Sequence, residues 1–67
     1  MSKEAKRGET WLHVKTGRLY IIVDYAELQT AYAPLDEKKC VIYRNSNGLW
    51  VRPSSEFHDG RFVRETP

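Results

Sequence analysis

The chain has a single cysteine, Cys40, so no internal disulfide can form. Its two histidines, His13 and His58, lie far from each other and from Cys40, without the spacing of a metal-ligand set. No apolar run is long enough to span a bilayer, and the opening MSKEAKRGE lacks the apolar segment of a signal peptide. Helical periodicity of useful length, internal repeats and low-complexity tracts are missing as well. Nor is there an excess of one charge: eleven Lys and Arg against nine Asp and Glu leave a formal +2. These absences argue against a disulfide scaffold, a zinc module, a membrane-spanning protein, a helical bundle and a binder of long nucleic acid driven by a strong positive field. A soluble protein of a reducing, cytoplasmic setting is expected.

What remains must be stabilised another way. A domain of 67 residues supplies roughly 3–5 kcal/mol from its core when nothing staples it. Tight β packing, self-association or a bound partner is then the route to stability, and a dimer or higher oligomer is expected.

Turn signals divide the chain into short apolar runs. TWLHVK (10–15) alternates, RLYIIVDYAEL (18–28) is rich in Ile, Val and Tyr, and Thr16–Gly17 between them reads as the link of a β-hairpin. QTAYAPLDEKK (29–39) is loop-like. CVIYR (40–44) and LWVRP (49–53) flank NSNG (45–48), a strong hairpin turn because Asn and Gly tolerate positive φ. Pro53 stops the fourth strand, since it has no N–H to give to a ladder. SSEF (54–57) suits one helical turn capped by Ser54 or Ser55, and Asp59–Gly60 turns the chain into a short fifth strand, RFVR (61–64). The expected fold is all-β: a small five-stranded antiparallel SH3-like barrel over residues 9–64, with a flexible tail at 1–8 and another at 65–67. Closure would remove the sheet edges that so short a chain could hardly cover.

Several of these residues form a familiar pattern. WLHVKTGRLYII, AELQT, VIYR and LWVRPSSEF together resemble a family of small bacterial and bacteriophage proteins of unknown function. Its pattern is an aromatic-x-His-x-Lys opening, a Gly-x-x-Tyr hairpin, a Val-x-Tyr strand and a Leu-Trp-Val-Arg-Pro-x-x-x-Phe block. The resemblance covers about residues 8–62 and falls on Trp11, His13, Lys15, Gly17, Tyr20, Tyr43, Leu49, Trp50, Val51, Arg52, Pro53 and Phe57. Relatives often have Tyr in place of Trp11 and Gly in place of Asp24, and the EFHDGRF ending is like that of phage and prophage members. The resemblance implies a compact β fold and a phage or bacterial cytoplasmic origin. It implies no activity.

Strand residues alternate in direction, which sorts the apolar positions into two sets. One set is Leu12, Val14, Leu19, Ile21, Val23, Val41, Leu49 and Val51, which with Phe57 and Phe62 at the ends makes the simplest core. The other is Trp11, His13, Lys15, Tyr20, Ile22, Trp50 and Arg52. A solvated face has no need of two tryptophans, because leaving a large apolar side chain exposed forgoes roughly 1.5–3 kcal/mol. This second set is either a recognition patch, with aromatics for area and His13, Lys15 and Arg52 for polar anchoring, or part of a wrapped core. The burial reading is preferred for Trp50 and the surface reading for Trp11.

The candidate binding residues are therefore Trp11, His13, Lys15, Tyr20, Trp50 and Arg52. Arg52 and Glu56 sit four apart across the turn and read as a salt bridge sooner than an anion site. Cys40 has no local activating group and reads as a packed thiol. No nucleophile elbow, acid–base pair or metal set is visible, so catalysis, cofactor and metal are all unexpected. The expected function is a protein-interaction module binding a host or phage protein, or itself, through the aromatic and basic face. The alternative is a binder of a nucleotide or single-stranded nucleic acid, in which Trp11, Tyr20 and Trp50 stack bases and Lys15, Arg18, Arg44 and Arg52 meet phosphates. A phage protein that sequesters a host nucleotide signal would be one such case.

Overall fold

Patterning, turns and prolines bring the chain into one antiparallel sheet. The computed structural model describes residues 4–36 and 38–65; the ends of the two expected tails, 1–3 and 66–67, lie outside the described residues. The strands are β1 (Thr10–His13), β2 (Arg18–Glu27), β3 (Lys39–Asn45), β4 (Gly48–Pro53) and β5 (Phe62–Arg64), and one helical turn, α1 (Ser54–Phe57), links the last two. Their order across the sheet is β4-β3-β2-β1-β5. The fold is all-β, as expected, and every pairing is antiparallel. The sheet is not closed: β4 and β5 are its two edges.

The turns follow from their residues. Gly17, at φ 74°, donates its N–H to the His13 carbonyl (2.8 Å) and closes the β1–β2 link. Asn45 accepts the Asn47 N–H on its side-chain oxygen (2.8 Å), an Asx turn that leaves Ser46 and Asn47 as the hairpin loop. At Gly48 the constraint is space and not positive φ: a Cβ there would lie 3.2 Å from the Trp50 ring, which would have to shift by a few tenths of an ångström. Pro34 sits in a short 3-10 turn, Ala33–Leu35, within the long β2–β3 loop. At α1 the expected serine cap is not formed. Pro53 holds the N-cap position without a side-chain hydrogen bond, and the Ser54 hydroxyl lies instead 3.1 Å from His58 Nδ1.

The register shows which residues share a face. Trp11 pairs with Tyr20, Ile22 with Tyr43, Tyr43 with Trp50, Val41 with Arg52 and His13 with Phe62. These residues line the inner face. A bulge at Val23 shifts the β2 register, so that Asp24 pairs with Ile42 and Tyr25 with Val41. The extra residue turns Tyr25 to the same side as Tyr20 and Ile22. The buried set is Ala5, Trp11, Tyr20, Ile22, Val41, Tyr43, Phe57 and Phe62, with Tyr25 packed against it. Phe57 is swung in by α1 and stacks on Phe62 with ring centroids 4.2 Å apart.

Alternation therefore grouped most strand residues correctly but assigned the inside to the wrong group, and Val41, grouped with Leu12 and Leu19, lies instead with Trp11, Tyr20 and Tyr43. Leu49 is 66% exposed and Val51 60%, and Val14, Leu19, Ile21 and Val63 are also exposed. Val41, Phe57 and Phe62 of the expected core are buried. The reason is area. Each aromatic ring buries 150–250 Å², so turning the Trp, Tyr and Phe positions inward removes more apolar surface than turning in the Leu and Val positions. One layer of sheet can cover only one of its faces.

The N-terminal segment is a second correction. Residues 4–8 do not behave as a polar tail: Ala5 is 1% exposed. Its N–H donates to His58 Nε2 (2.9 Å), and its carbonyl accepts the Tyr25 hydroxyl (2.6 Å). Gly8, at φ 85°, donates to the Ile22 carbonyl, and Ile22 donates back to Glu9.

Candidate functional site

Trp11, Tyr20, Trp50, His13 and Arg52 do lie on one face, but that face closes over the core. Trp11 is 6% exposed, so its placement on a surface patch is overturned. Its indole N–H donates to Glu9 Oε1 (3.2 Å), and its ring meets Phe57 and His58. Tyr20 is buried and makes edge-on contacts with Tyr43, Trp50 and Phe62. Trp50, on edge strand β4, stacks on Tyr43 and closes the aromatic cluster at its rim, 36% exposed.

The polar members sit at the opposite rim. The His13 ring packs 4.7 Å from that of Phe62, and its Nδ1 shares a hydrogen bond with Thr16 Oγ1 (2.8 Å). Arg52 lies over the Phe62 ring, donates from Nε to the Tyr43 hydroxyl (3.2 Å) and pairs with Glu56 (3.6 Å), the expected bridge. The Tyr43 hydrogen bond is the main cause that raises the Arg52 pKa above its usual value. Lys15 is exposed in the β1–β2 link. With Asp59, Gly60 and Arg61 these three residues line one open depression. Arg61 is held by both Glu56 (3.0 Å) and Asp59 (3.6 Å). An anion entering here would have to compete with two carboxylates for the guanidinium groups.

A second depression, of about 550 Å³, is lined by Glu9, Trp11, His58, Phe62 and Arg64 among others. Glu9 organises it. The carboxylate accepts the Lys6 N–H (2.8 Å) and the Trp11 indole and pairs with Arg64 (3.1 Å). The Lys6 hydrogen bond, helped by Trp11 and the charge of Arg64, pulls the Glu9 pKa below the ordinary carboxylate range. Tyr25 moves the other way: burial raises its pKa, and the Glu4 and Glu9 charges add to the shift. In His58, Nε2 accepts from Ala5 and Nδ1 donates to the Ser54 carbonyl (2.8 Å), so both nitrogens are occupied by the fold.

Tyr43, Tyr25, Glu9 and His58 were missing from the candidates. Tyr43 was within reach of the sequence, because it alternates with Val41. Glu9 and His58 carry no local signal and meet only because β1, α1 and the N-terminal segment converge. Cys40 is buried, with its thiol 3.6 Å from the Lys38 carbonyl, as a packed thiol should be.

The outer face is built differently. Leu12, Leu19 and Val63 form one row across β1, β2 and β5; Ile21, Arg44 and Leu49 form a second; Asp24, Ile42 and Val51 form a third. A shallow groove lined by Ala26, Cys40, Ile42, Leu49 and Val51 runs beside edge strand β4. Asp24 and Arg44 are the charged strand residues that the register puts on this face.

These features define an all-β domain built on one open five-stranded antiparallel sheet, aromatic within and aliphatic without. No protein-family profile, curated protein or solved structure matches the chain. Among the described residues no helix is long and apolar enough to cross a membrane.

Proposed function

We propose that this chain is a non-catalytic protein-interaction module whose recognition surface is the outer aliphatic face of the sheet. The observation that carries the reading is the exposure of Leu19, Ile21, Leu49, Val51 and Val63 on one face while Trp11, Tyr20, Tyr43, Phe57 and Phe62 are withdrawn into the core. Contiguous exposed apolar patches on small soluble domains mark interaction sites. The strand order β4-β3-β2-β1-β5 supports our reading of the fold as a five-stranded SH3-like barrel left open between its two edges. The phage or bacterial cytoplasmic origin implied by the resemblance of the LWVRPSSEF block fits a small adaptor of this kind.

The nucleotide-binding alternative is weaker. Base stacking needs accessible rings, and Trp11 and Tyr20 are buried. What favours it is Trp50, partly exposed and stacked on Tyr43. Capture from host lysate, with proteins and small molecules both identified, tests the choice. The wild type should retain protein partners that a Leu49→Glu/Val51→Glu variant loses with its circular dichroism unchanged. Identical captures by both, or a nucleotide retained by the wild type and lost on Trp50→Ala, would overturn the reading.

A further inference from the structure

Three regions lie outside what has been explained: the depression around Glu9 and His58, the charged rim at Arg52 and Arg61, and the outer face. In the first, the Glu9 carboxylate and both His58 nitrogens are already held by the protein. In the second, the guanidinium groups are held by Glu56 and Asp59. The outer face, among the described residues, leaves Leu19, Ile21, Leu49, Val51 and Val63 exposed.

Resting on the reading above, we propose that the occupant of the outer face is a second copy of this chain, packed sheet against sheet across a two-fold axis. Three observations lead there. The first is architectural. Stable domains stack two layers around a core, and α1 and the N-terminal segment both serve the inner side, through Phe57 and Ala5. The outer face is a layer without its pair.

The second is exposed apolar surface. Leu19 is 49% exposed, Ile21 37%, Leu49 66%, Val51 60% and Val63 44%, which is the kind of apolar patch that the core of a dimer interface buries.

The third is charge. A two-fold interface is isologous, so that residue i of one copy meets residue j of the other and the reverse. Arg44 on β3 and Asp24 on β2 stand on neighbouring rows of this face. An axis lying between the sheets, midway between the two positions, places each Arg44 opposite the other copy's Asp24 and gives two symmetric ion pairs. Within its own chain the Asp24 carboxylate accepts the Tyr25 N–H on Oδ1 (2.8 Å), and its Oδ2 lies 3.9 Å from the exposed Arg7. The aliphatic rows then pack about 10 Å apart, as in aligned β-sandwiches.

Sedimentation equilibrium from about 1 µM to about 1 mM, the span of ordinary association constants, tests this with four proteins. The wild type should reach twice the 7.9 kDa chain mass. Val51→Glu and Arg44→Asp should each remain monomeric with the circular dichroism of the wild type. The swap Arg44→Asp/Asp24→Arg should recover the dimer, which a merely structural role for either residue would not produce. A wild type that stays monomeric throughout overturns the proposal, as does a dimer indifferent to Val51→Glu and Arg44→Asp. If the wild type is monomeric but captures a different protein in a Val51-dependent way, self-association fails and the interaction reading stands. If there is neither dimer nor Val51-dependent capture, both fail.

Discussion

The two faces of this sheet are made of residues that alternate along the same strands, yet solvent reaches them very differently. The inner face gathers Trp11, Tyr20, Tyr43, Trp50, Phe57 and Phe62 into one set of ring contacts, with Tyr25 packed against it. The outer face presents Leu19, Leu49, Val51 and Val63 to solvent, each between 44% and 66% exposed. In a single-layer fold the choice of interior is a competition between two apolar surfaces, and the larger wins. The losing surface is still apolar, and it becomes the part of the molecule with a reason to bind something.

The largest effect that can test this contrast is at Phe57. Removing a fully buried ring costs ~3–5 kcal/mol, about the whole net stability of a stapleless domain this size. Phe57→Ala should therefore be largely unfolded at 25 °C by circular dichroism. A folded Phe57→Ala protein would mean that the aromatic cluster is not the core.

Deleting residues 1–5 comes next. The deletion removes the Ala5 burial, two part-buried hydrogen bonds, to His58 and from Tyr25, and one exposed ion pair, Glu4 with Lys39, which is worth little. At about 1 kcal/mol for each bond and a similar amount for the methyl group, the loss should be ~2–3 kcal/mol in urea denaturation. A frayed tail would cost nothing.

Glu9→Gln should cost ~1–2 kcal/mol at pH 7, the worth of a charge-assisted hydrogen bond. Its pH dependence has a definite sign. The folded pKa of Glu9 is depressed, so its contribution is complete above the unfolded carboxylate value and is lost as pH falls through the lower folded value. Urea midpoints of wild type and Glu9→Gln should converge on acidification below about pH 4. Parallel curves down to the acid transition would show that the Lys6, Trp11 and Arg64 contacts do not favour the ionised form.

The smallest effect belongs to the outer face. Val51→Thr should change the stability of the monomer by no more than about 0.5 kcal/mol, measured at concentrations too low for association. In concentrated samples it should also weaken any rise of the melting temperature with concentration, because association stabilises by mass action. A loss of 2 kcal/mol or more in dilute solution, of the order expected for a core substitution, would erase the difference between the two faces.

Much of this organisation was legible along the chain. The two hairpins were, because Thr16–Gly17 and NSNG separate β-rich runs. So was the SSEF turn that returns Phe57 to the sheet. The candidates Trp11, His13, Tyr20, Trp50 and Arg52 were correctly placed on one side, because period-two alternation is a local property. Three things were not legible. The bulge at Val23 has no residue signature, and it alone aligns Tyr25 with Tyr20 and Ile22. The anchoring of Ala5 depends on His58, 53 positions away. The meeting of Glu9 with Trp11 and Arg64 depends on β5 pairing with β1.

By itself, then, the sequence determined the strands, their turns and, apart from Val41 and the residues beyond the Val23 bulge, the division of residues between two faces, since those follow from neighbours one to four positions apart. Which face became the interior was decided only in three dimensions. Alternation is symmetric between inside and outside, and the choice required summing the ring area that α1, β5 and the N-terminal segment could cover together. The aliphatic face left to solvent, and with it the candidate binding surface, is a result of that sum.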